Sequence, residues 1–359
     1  MKTYRIATIP GDGIGREVVP AGRQVFQVLA RSLHSFQLEF EDFDWGGDYY
    51  RRCGAMMPED GLDRLRNKDA ILFGSAGDPH IPDHITLWGL RLRICQGLDQ
   101  YANVRPARLL PGINAPLKHC RPGDLDWVIV RENTEGEYAG IGGRLYQGKA
   151  AEVAVQSIVF TRQGTERIQR YAFDYARQHG RKKVTSATKS NSMQYNMVFW
   201  DDVFREVAAD YPAIAHEQQL IDSLAARFVS HPHSLDVVVA SNLFGDILTD
   251  LGAAITGSMG LAPSANLNPE RRYPSLFQAI HGSAPDITGK GIANPVASIW
   301  SAQLMLDFLG EREAATLLMR SIEVTLANGK TLTPDLGGTA TTRELGEAIR
   351  QKIHSLAAK

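Results

Sequence analysis

The sequence Arg5-Ile-Ala-Thr-Ile-Pro-Gly-Asp-Gly-Ile-Gly15 joins a short apolar run to a glycine turn, and a helical pattern follows at about residues 17–33. A short apolar run bounded by proline and glycine is typical of a buried strand. Apolar residues at helical spacing indicate an amphipathic helix that packs on one face. The chain is therefore predicted to begin with a strand, a turn and a helix.

This strand and helix pattern recurs along the chain. Further strands are predicted at residues 70–73, 127–130, 153–160 and 236–240, and further helices at residues 163–178, 192–208 and 297–309. Alternating strands and helices predict an α/β fold. With 359 residues the chain is expected to form two lobes, since single cores rarely exceed about 250–300 residues. No linker rich in glycine and serine marks a boundary, so the lobes are expected to be discontinuous.

Composition and charge exclude several classes of partner. A net charge of −1 gives no basic excess for binding phosphate backbones, so nucleic acid is not an expected partner. No stretch of about 18 apolar residues is present to span a bilayer, so no membrane partner is expected either. The cysteines Cys53, Cys95 and Cys120 have no CxxC spacing, which fits neither a disulfide framework nor a zinc site. A reducing cytoplasm is the expected location.

Two acidic residues, Asp246 and Asp250, lie four residues apart among apolar residues in the segment 241–252. A helix would place both carboxylates on one face, one turn apart, where like charges repel. A divalent cation bound by hard oxygen ligands would remove that cost. A solvated acidic pair gives the same pattern, and the motif alone leaves both interpretations open.

Other polar groups follow predicted strands, the position at which α/β folds bind ligands. Arg131 begins the segment Arg-Glu-Asn-Thr-Glu-Gly-Glu-Tyr138, and Arg105 lies in Tyr-Ala-Asn-Val-Arg-Pro. An arginine can bind a carboxylate through two parallel hydrogen bonds, so both are candidate substrate ligands. Lys189 follows a possible strand end among small polar residues. It is a candidate base, although a solvated lysine explains the same pattern.

Two glycine-containing segments are candidates for contact with a nucleotide. The turn at Gly11, Gly13 and Gly15 has the spacing GxGxG rather than the GxGxxG of Rossmann folds, so a tight turn that needs glycine is the preferred interpretation. The loop His281-Gly-Ser-Ala-Pro-Asp-Ile287 precedes a predicted helix. Such a loop can present backbone N–H groups and Asp286 to a sugar hydroxyl, and a binding role is preferred there.

In this order the segments resemble the β-decarboxylating dehydrogenases of 2-hydroxy acids, the family of isocitrate and isopropylmalate dehydrogenases. The resemblance spans nearly the whole chain and is carried by Ile9-Pro-Gly-Asp-Gly-Ile-Gly15, Tyr101-Ala-Asn-Val-Arg-Pro106, residues 131–138, Thr188-Lys-Ser-Asn191, Asp222, residues 242–250 and residues 281–287. The chain looks most like the tartrate dehydrogenase/decarboxylases and D-malate dehydrogenases of that family. This narrower similarity lies in Ile85-Thr-Leu-Trp-Gly89, Leu98-Asp-Gln-Tyr101 and Pro263-Ser-Ala-Asn-Leu-Asn-Pro-Glu-Arg271.

The resemblance implies an isocitrate/isopropylmalate dehydrogenase-like fold that differs from a Rossmann domain. Residues 1–102 and 256–359 would form a large cofactor-binding domain, and residues 103–255 a small domain with the dimer interface. It also implies that Asp246 and Asp250 bind Mn²⁺ or Mg²⁺ together with Asp222 of the partner subunit. A homodimer would then share each active site, and a monomer would be inactive.

The resemblance further assigns roles to individual residues. Lys189, again contributed by the partner subunit, would remove the proton of the 2-hydroxyl group, and Tyr138 would protonate C3 after CO₂ leaves. Arg105 and Arg131 would bind the substrate. The implied NAD ligands are His281, Gly282, Ser283, Ala284, Asp286 and Asn294. NAD is expected rather than NADP because Asp286 would repel a 2′-phosphate.

The expected substrates are four-carbon 2-hydroxy diacids. By resemblance, D-malate would give pyruvate and CO₂, (+)-tartrate would be oxidised to oxaloglycolate, and meso-tartrate would be decarboxylated to glycerate. An additional requirement for a monovalent cation such as K⁺ is left open.

One position departs from the family pattern. Members usually have an arginine ten residues before the position of Arg105, yet Cys95 stands there and Arg91 and Arg93 lie nearby. Fewer arginines, or one reaching from a displaced position, would then hold the distal carboxylate. Trp88 could narrow the substrate pocket or pack in the core.

Two alternatives to this function remain. A 3-isopropylmalate or homoisocitrate-type dehydrogenase would need an apolar pocket, which Leu87, Trp88 and Leu90 could supply. A relative without activity could instead serve as a regulatory subunit. The presence of Tyr138, Lys189 and the three aspartates argues against the second alternative.

Overall fold

The computed structural model describes residues 1–118 and 120–358. The described strands are β1 (Lys2–Gly11), β2 (Phe36–Asp42), β3 (Ala70–Ser75), β4 (Ala102–Arg108), β5 (Asp126–Glu132), β6 (Gly136–Leu145), β7 (Val153–Val159), β8 (Lys183–Thr188), β9 (Ala215–Leu220), β10 (Val237–Ala240), β11 (Pro263–Leu267) and β12 (Ser275–Ala279). The described α-helices are α1 (Gly15–Leu33), α2 (Gly47–Cys53), α3 (Gly61–Arg66), α4 (Asp83–Thr86), α5 (Arg93–Gly97), α6 (Arg162–Gln178), α7 (Asn196–Ala209), α8 (Ile221–Ser230), α9 (Asn242–Ile255), α10 (Val296–Leu309), α11 (Arg312–Asn328) and α12 (Thr342–Ala357).

One large sheet organises the molecule. Its ten strands lie in the order β2-β1-β3-β12-β11-β4-β5-β10-β8-β9, and β6 and β7 form a separate antiparallel pair. The outer strands pair in parallel, whereas the three central pairings, β12 with β11, β11 with β4 and β4 with β5, are antiparallel. Chain ends and chain middle therefore supply opposite halves of one sheet.

The most buried strands lie where helices cover both faces of the sheet. Strand β10, with the sequence Val-Val-Val-Ala, is fully buried, and β3 is buried at every residue. Continuous apolar runs of this kind are characteristic of parallel strands that are covered on both sides. Helix α10 is buried around most of its surface and packs on β11 and β12.

The α/β class and the predicted elements are confirmed by the structure. The first strand and helix, and the strand at 127–130, lie within β1, α1 and β5. The helix predicted from residue 192 begins four residues later, at Asn196. The intervening Ser-Met-Gln-Tyr segment stays in a turn, in which Ser192 N and Met193 N donate to Lys189 O. Serine and asparagine side chains compete with helical hydrogen bonds, which explains the later start.

The proposed division of the chain at residues 103–255 stays a prediction. The large sheet runs without a break across that division, because β11 pairs with β4 over Ala265–Val104 and its neighbours. Among the described helices, none combines the length and the apolar character that a membrane crossing requires.

Candidate active site

Helix α9 presents the two acidic residues that the sequence analysis singled out. Leu248 and Gly252 are buried, whereas Asp246 is partly exposed and Asp250 is exposed. The start of α9 is fixed by Glu137, a nearly fully buried residue of β6. Glu137 accepts hydrogen bonds from Ser241 Oγ at 2.8 Å and from Leu243 N at 3.1 Å. An acidic side chain at a helix N-terminus satisfies free N–H groups and complements the helix dipole.

Asp246 is the centre of a cluster of charged and polar groups. Its Oδ1 accepts hydrogen bonds from Arg105 Nη1 at 3.1 Å and from Arg131 Nη1. Its Oδ2 accepts a hydrogen bond from Tyr138 OH at 3.3 Å. Burial opposes ionisation, but the charges of Arg131, Arg105 and Arg91 outweigh it and lower the pKa of Asp246 to about 2. The carboxylate is therefore ionised at neutral pH.

Arg131 is held rigidly against α9. It is fully buried, and its Nε and Nη2 donate to Asn242 Oδ1 at 3.1 and 2.6 Å. Its side chain lies directly over Gly245, where an added Cβ would meet Arg131 Cβ and Cγ at 2.7 Å. The close approach of the arginine to the helix therefore requires glycine at position 245.

Arg105 is the second buried guanidinium of the cluster. Its Nη1 donates to Thr249 Oγ1 at 2.6 Å as well as to Asp246. Burial, followed by the charge of Arg131, lowers the pKa of Arg105 to about 9. Arg105 and Arg131 share the single carboxylate of Asp246, so their two positive charges are only partly neutralised by the described protein groups. The cluster is suited to bind an anion.

Asp250 has the properties expected of a cation ligand. Among the described residues, no hydrogen bond or ion pair engages its carboxylate. Partial loss of hydration and the charge of Asp246 raise the pKa of Asp250. A divalent cation between Asp246 and Asp250 would remove this repulsion, and carboxylate oxygens are the ligands that Mg²⁺ and Mn²⁺ prefer. The chemistry of these donors therefore fits the expected metal.

Lys189 and Asp222 form a second group elsewhere on the same subunit. Lys189 follows β8 and Asp222 lies in the first turn of α8, and the Nζ–Oδ1 distance is 2.6 Å. The hydrogen bond from Lys189 lowers the pKa of Asp222. The lysine side chain is 27% exposed and the aspartate side chain 62% exposed, so the pair faces solvent.

This second group does not reach the acids of α9 within one subunit. In residues 1–118 and 120–358, no three His, Cys, Asp or Glu side chains lie close enough together to hold a metal ion. Asp222 therefore does not join Asp246 and Asp250 in the same chain. The structure brings together Tyr138, Arg105, Arg131 and the two α9 aspartates, and it leaves Lys189 with Asp222.

The predicted nucleotide loop packs against the glycine turn after β1. Ile14 N donates to Ser283 O at 2.9 Å, and a Cβ on Gly13 would lie 2.0 Å from the same oxygen. Gly13 also has a φ of +53°, so this turn needs glycine for both space and conformation. The structure gives these glycines the tight-turn role that the spacing favoured over a Rossmann motif.

Within that loop, His281 offers a free polar group. Its Nδ1 lies 3.0 Å from Gly282 O, while its Nε2 is buried and has no hydrogen-bond partner among the described residues. Burial lowers the pKa of His281, so the ring is neutral at pH 7. Asn294 is buried and its Nδ2 donates to Asp335 Oδ2 at 2.9 Å. Asp286 is exposed. An unpartnered imidazole nitrogen beside exposed loop groups fits a bound nucleotide.

Several residues of the cluster had no role in the sequence analysis. Asn242 and Thr249 lie four residues before and three residues after Asp246, so the helical spacing already placed them on its face. Glu137 gave no comparable local signal, and Arg91 entered only as one of two arginines near Cys95. The suggestion that Leu90 lines an apolar pocket was wrong, because Leu90 is fully buried in the core with Ile94.

The chain belongs to the isocitrate/isopropylmalate dehydrogenase family, because residues 5–349 match the family described as isocitrate/isopropylmalate dehydrogenase. The fold agrees: the crystal structure of isocitrate dehydrogenase from Methylococcus capsulatus superposes with a TM-score of 0.89 at 36% sequence identity. That likeness covers 98% of this chain and 99% of the other. The predicted family, fold class and assignment as an oxidoreductase are confirmed.

Individual relatives are similar over nearly their whole length. A probable tartrate dehydrogenase/decarboxylase of Agrobacterium vitis is 55% identical over 353 residues, covering 98% of this chain and 97% of the relative. The D-malate dehydrogenase (decarboxylating) of Escherichia coli strain K12 is 52% identical over 356 residues, covering 97% and 98%. The tartrate dehydrogenase/decarboxylase of Pseudomonas putida is 51% identical over 362 residues, covering 99% of both chains. The narrower resemblance to tartrate and D-malate dehydrogenases is confirmed.

Proposed function

We propose that this protein oxidises and decarboxylates four-carbon 2-hydroxy diacids, converting D-malate to pyruvate and CO₂ and acting on tartrate. NAD would be the hydride acceptor and Mn²⁺ or Mg²⁺ the metal. The observation that carries the proposal is the cluster in which Arg105, Arg131 and Tyr138 converge on Asp246. The names of relatives at 51–55% identity support the choice of substrate.

The arginines of the cluster would orient the diacid. Asn242 and Thr249 of α9 accept hydrogen bonds from Arg131 and Arg105, so both guanidinium groups are preorganised before substrate arrives. Preorganised charges stabilise an anion without a reorganisation cost during the reaction. The substrate carboxylates would neutralise the positive charge that the two arginines now share.

Two side chains would move protons. Lys189, from the partner subunit, would take the proton of the 2-hydroxyl group as the hydride leaves C2. After the C3–C4 bond breaks and CO₂ departs, Tyr138 would give a proton to C3. Burial and the charge of Asp246 raise the pKa of Tyr138, so its hydroxyl is protonated and ready to donate. One proton removed and one proton returned leave the overall reaction balanced.

Asp246 and Asp250, with Asp222 of the partner subunit, would hold the metal, and the ion when bound supplies Lewis-acid polarisation of the C2 oxygen. The loop from His281 to Asp286, with Asn294, would hold NAD, which when bound accepts the hydride. Asp286 is exposed and free to accept hydrogen bonds from ribose hydroxyl groups. Its charge would disfavour the 2′-phosphate of NADP.

A homodimer with shared sites is the proposed assembly. Ile247 on α9, adjacent to Asp246, is 53% exposed, and Val229 on α8 is 49% exposed. The β6–β7 hairpin adds exposed apolar side chains, namely Ile141, Leu145, Val153, Val155 and Ile158. Contiguous exposed apolar residues mark protein interaction surfaces. A partner seated on α8, α9 and the hairpin would bring its Lys189 and Asp222 towards Asp246.

The cytoplasm is the proposed location. The three cysteines Cys53, Cys95 and Cys120 are all free thiols. Free cysteines and the absence of pairing among them are usual for proteins of reducing compartments. The large and small domains, divided at residues 103–255, are retained as part of the same proposal.

Initial rates with a panel of substrates test the function. Purified protein with NAD⁺ and Mn²⁺ should produce NADH from D-malate and from tartrate, with pyruvate and CO₂ as products of D-malate. Dialysis against a chelator should abolish the rate and Mn²⁺ should restore it. Turnover of 3-isopropylmalate alone would overturn the substrate assignment. A homo-oligomer that reduces no NAD⁺ with any of these acids would indicate a subunit without activity.

A further inference from the structure

Arg91 is a partly buried cation without a described protein partner. Its Nε and Nη2 are inaccessible to solvent, and neither forms a hydrogen bond with any described residue. It also takes part in no ion pair with a described residue. Burying part of a guanidinium group without an anion is costly. Such a side chain is expected to pair with an anionic ligand when that ligand binds.

The local fold packs the segment that carries Arg91 against the strand that carries Tyr138. Arg91 lies in the π-helical turn Leu87–Leu92, which runs directly into α5. Gln96 of α5 donates to Tyr138 O at 3.0 Å, and the Trp88 ring packs so closely on Gly140 that an added Cβ would lie 2.8 Å from it. Turns of this kind within helices are frequent at functional sites.

The segment that carries Arg91 is linked to the cluster around Asp246 through Tyr138. Gln96, five residues after Arg91, donates to Tyr138 O, and Tyr138 OH donates to Asp246 Oδ2 at 3.3 Å. Arg105 and Arg131 donate to the other oxygen of Asp246. Three arginines therefore lie on segments that meet around one carboxylate.

Cys95 lies one helical turn after Arg91, at the position where the family resemblance implies an arginine. Cys95 is fully buried, and burial raises the pKa of its thiol, so it is neutral and carries no charge into the site. Its short side chain also cannot reach a ligand as an arginine would. A guanidinium group that starts from residue 91 can instead supply the missing positive charge.

We propose that Arg91 binds the C4 carboxylate of the diacid, the one distal to the hydroxyl carbon, and so determines selectivity for diacids. This inference rests on the proposed function, since it assigns one carboxylate of that substrate. Arg91, one helical turn earlier in the chain, would take the role of the arginine that the resemblance implies at position 95. Arg105 and Arg131 would remain with Asp246 at the other end of the ligand.

Calorimetric binding of two probes to the Mn²⁺-loaded protein tests the assignment. D-malate carries the C4 carboxylate, and D-lactate, which ends in a methyl group at C3, lacks it. Arg91→Leu should weaken D-malate binding roughly 10- to 100-fold, the range for loss of a charged hydrogen bond, and should leave D-lactate binding unchanged. The matched control is Arg93→Leu, because Arg93 Nη2 donates to Glu59 O on an exposed part of the surface. It should bind both probes normally.

Equal loss of both probes in Arg91→Leu, or no loss of D-malate binding, would overturn the proposal. Arg91→Lys, which keeps the charge but not the planar donor set, should show the same selective loss to a smaller extent and covers the case in which the leucine variant fails to fold. Turnover is measured separately. If the wild-type protein binds D-malate through Arg91 but oxidises no diacid, the proposed function is refuted and the assignment of Arg91 is not.

Discussion

Lys189 Nζ lies 2.6 Å from Asp222 Oδ1, and within the described residues of one subunit this pair does not form a metal-binding group with Asp246 and Asp250. Each subunit thus carries two incomplete groups of polar residues. One group has the arginines, the tyrosine and two acids, and the other has a lysine and one acid. Ile247, next to Asp246 on α9, and Val229 on α8 are exposed, as expected if a second subunit covers these helices.

Replacement of Lys189 should separate oxidation from decarboxylation. In the proposed mechanism this lysine acts only on the hydroxyl proton, so Lys189→Met should slow D-malate oxidation by about 10²- to 10⁴-fold. Decarboxylation of added oxaloacetate should stay within a few-fold of wild type. Lys182→Met, at an exposed neighbouring lysine, is the control. Near-normal oxidation by Lys189→Met, followed as NADH absorbance, would refute the role.

Tyr138→Phe should affect the last proton transfer most. The ring would keep its contact with Arg131, whose Cζ lies 5.6 Å from the ring centroid, and lose only the hydroxyl donor. NADH formation should therefore fall less than pyruvate formation, measured in the same reaction. Tyr146→Phe, at an exposed tyrosine, should change neither rate. Equal losses of NADH and pyruvate formation in Tyr138→Phe would contradict the assignment of Tyr138 to the protonation of C3.

Glu132 should make folding stability depend on pH. It is fully buried and accepts hydrogen bonds from Thr134 N, Thr134 Oγ1 and Glu135 N. Burial raises the pKa of Glu132 from 4.5 to about 7. Between these values the folded state keeps a proton that the unfolded chain has lost, so the free energy of unfolding falls as pH rises and levels off above pH 7.

Urea denaturation at pH 5 and pH 7.5 measures this effect. In the wild-type protein the free energy of unfolding should fall by up to about 3 kcal/mol between pH 5 and pH 7.5. Glu132→Gln should remove this decrease. Glu344→Gln is the control: backbone and side-chain hydrogen bonds from Thr341 lower the pKa of Glu344, so its contribution is constant over this window. An unchanged pH slope in Glu132→Gln would show that the carboxyl group is already ionised at pH 5.

Two glycines of α9 should respond differently to alanine. A Cβ on Gly245 would press on Arg131 Cβ and Cγ at 2.7 Å, so Gly245→Ala should destabilise by about 1–3 kcal/mol and raise the KM for D-malate. At Gly252 the nearest atom, Ala107 Cβ, would lie at 3.4 Å. Gly252→Ala should therefore be neutral or gain about 0.5–1 kcal/mol from helix propensity. Thermal denaturation and initial rates of both variants would show whether Arg131 depends on this contact.

Local patterns in the sequence were sufficient for the elements and for the main acids. The i, i+4 spacing of Asp246 and Asp250 predicted their helix and its face, and small polar residues predicted that Lys189 follows a strand. These inferences succeed because helical and strand periodicities depend on neighbours in the chain. The same spacing argument applies to Asn242 and Thr249, but the sequence analysis did not single them out.

Contacts between residues that lie far apart in the chain could not be predicted from local sequence patterns. Glu137 caps α9 from 104 residues away, and Arg91 is significant only because α5 packs on the strand of Tyr138. Leu90 has the same apolar character as a pocket residue, and only its complete burial excludes that role. Burial and contacts between distant segments follow from the folded chain and are not visible in residue spacing.

Hybrid dimers test the shared active site most directly. Subunits carrying Lys189→Met and subunits carrying Asp246→Asn, labelled with two different affinity tags, can be co-expressed and the mixed dimer isolated. Each parent homodimer should be inactive, whereas the hybrid should regain about half of the wild-type D-malate dehydrogenase activity, because one of its two sites combines intact residues from both subunits. A pure hybrid dimer as inactive as its parents would contradict the proposal that two subunits build each site.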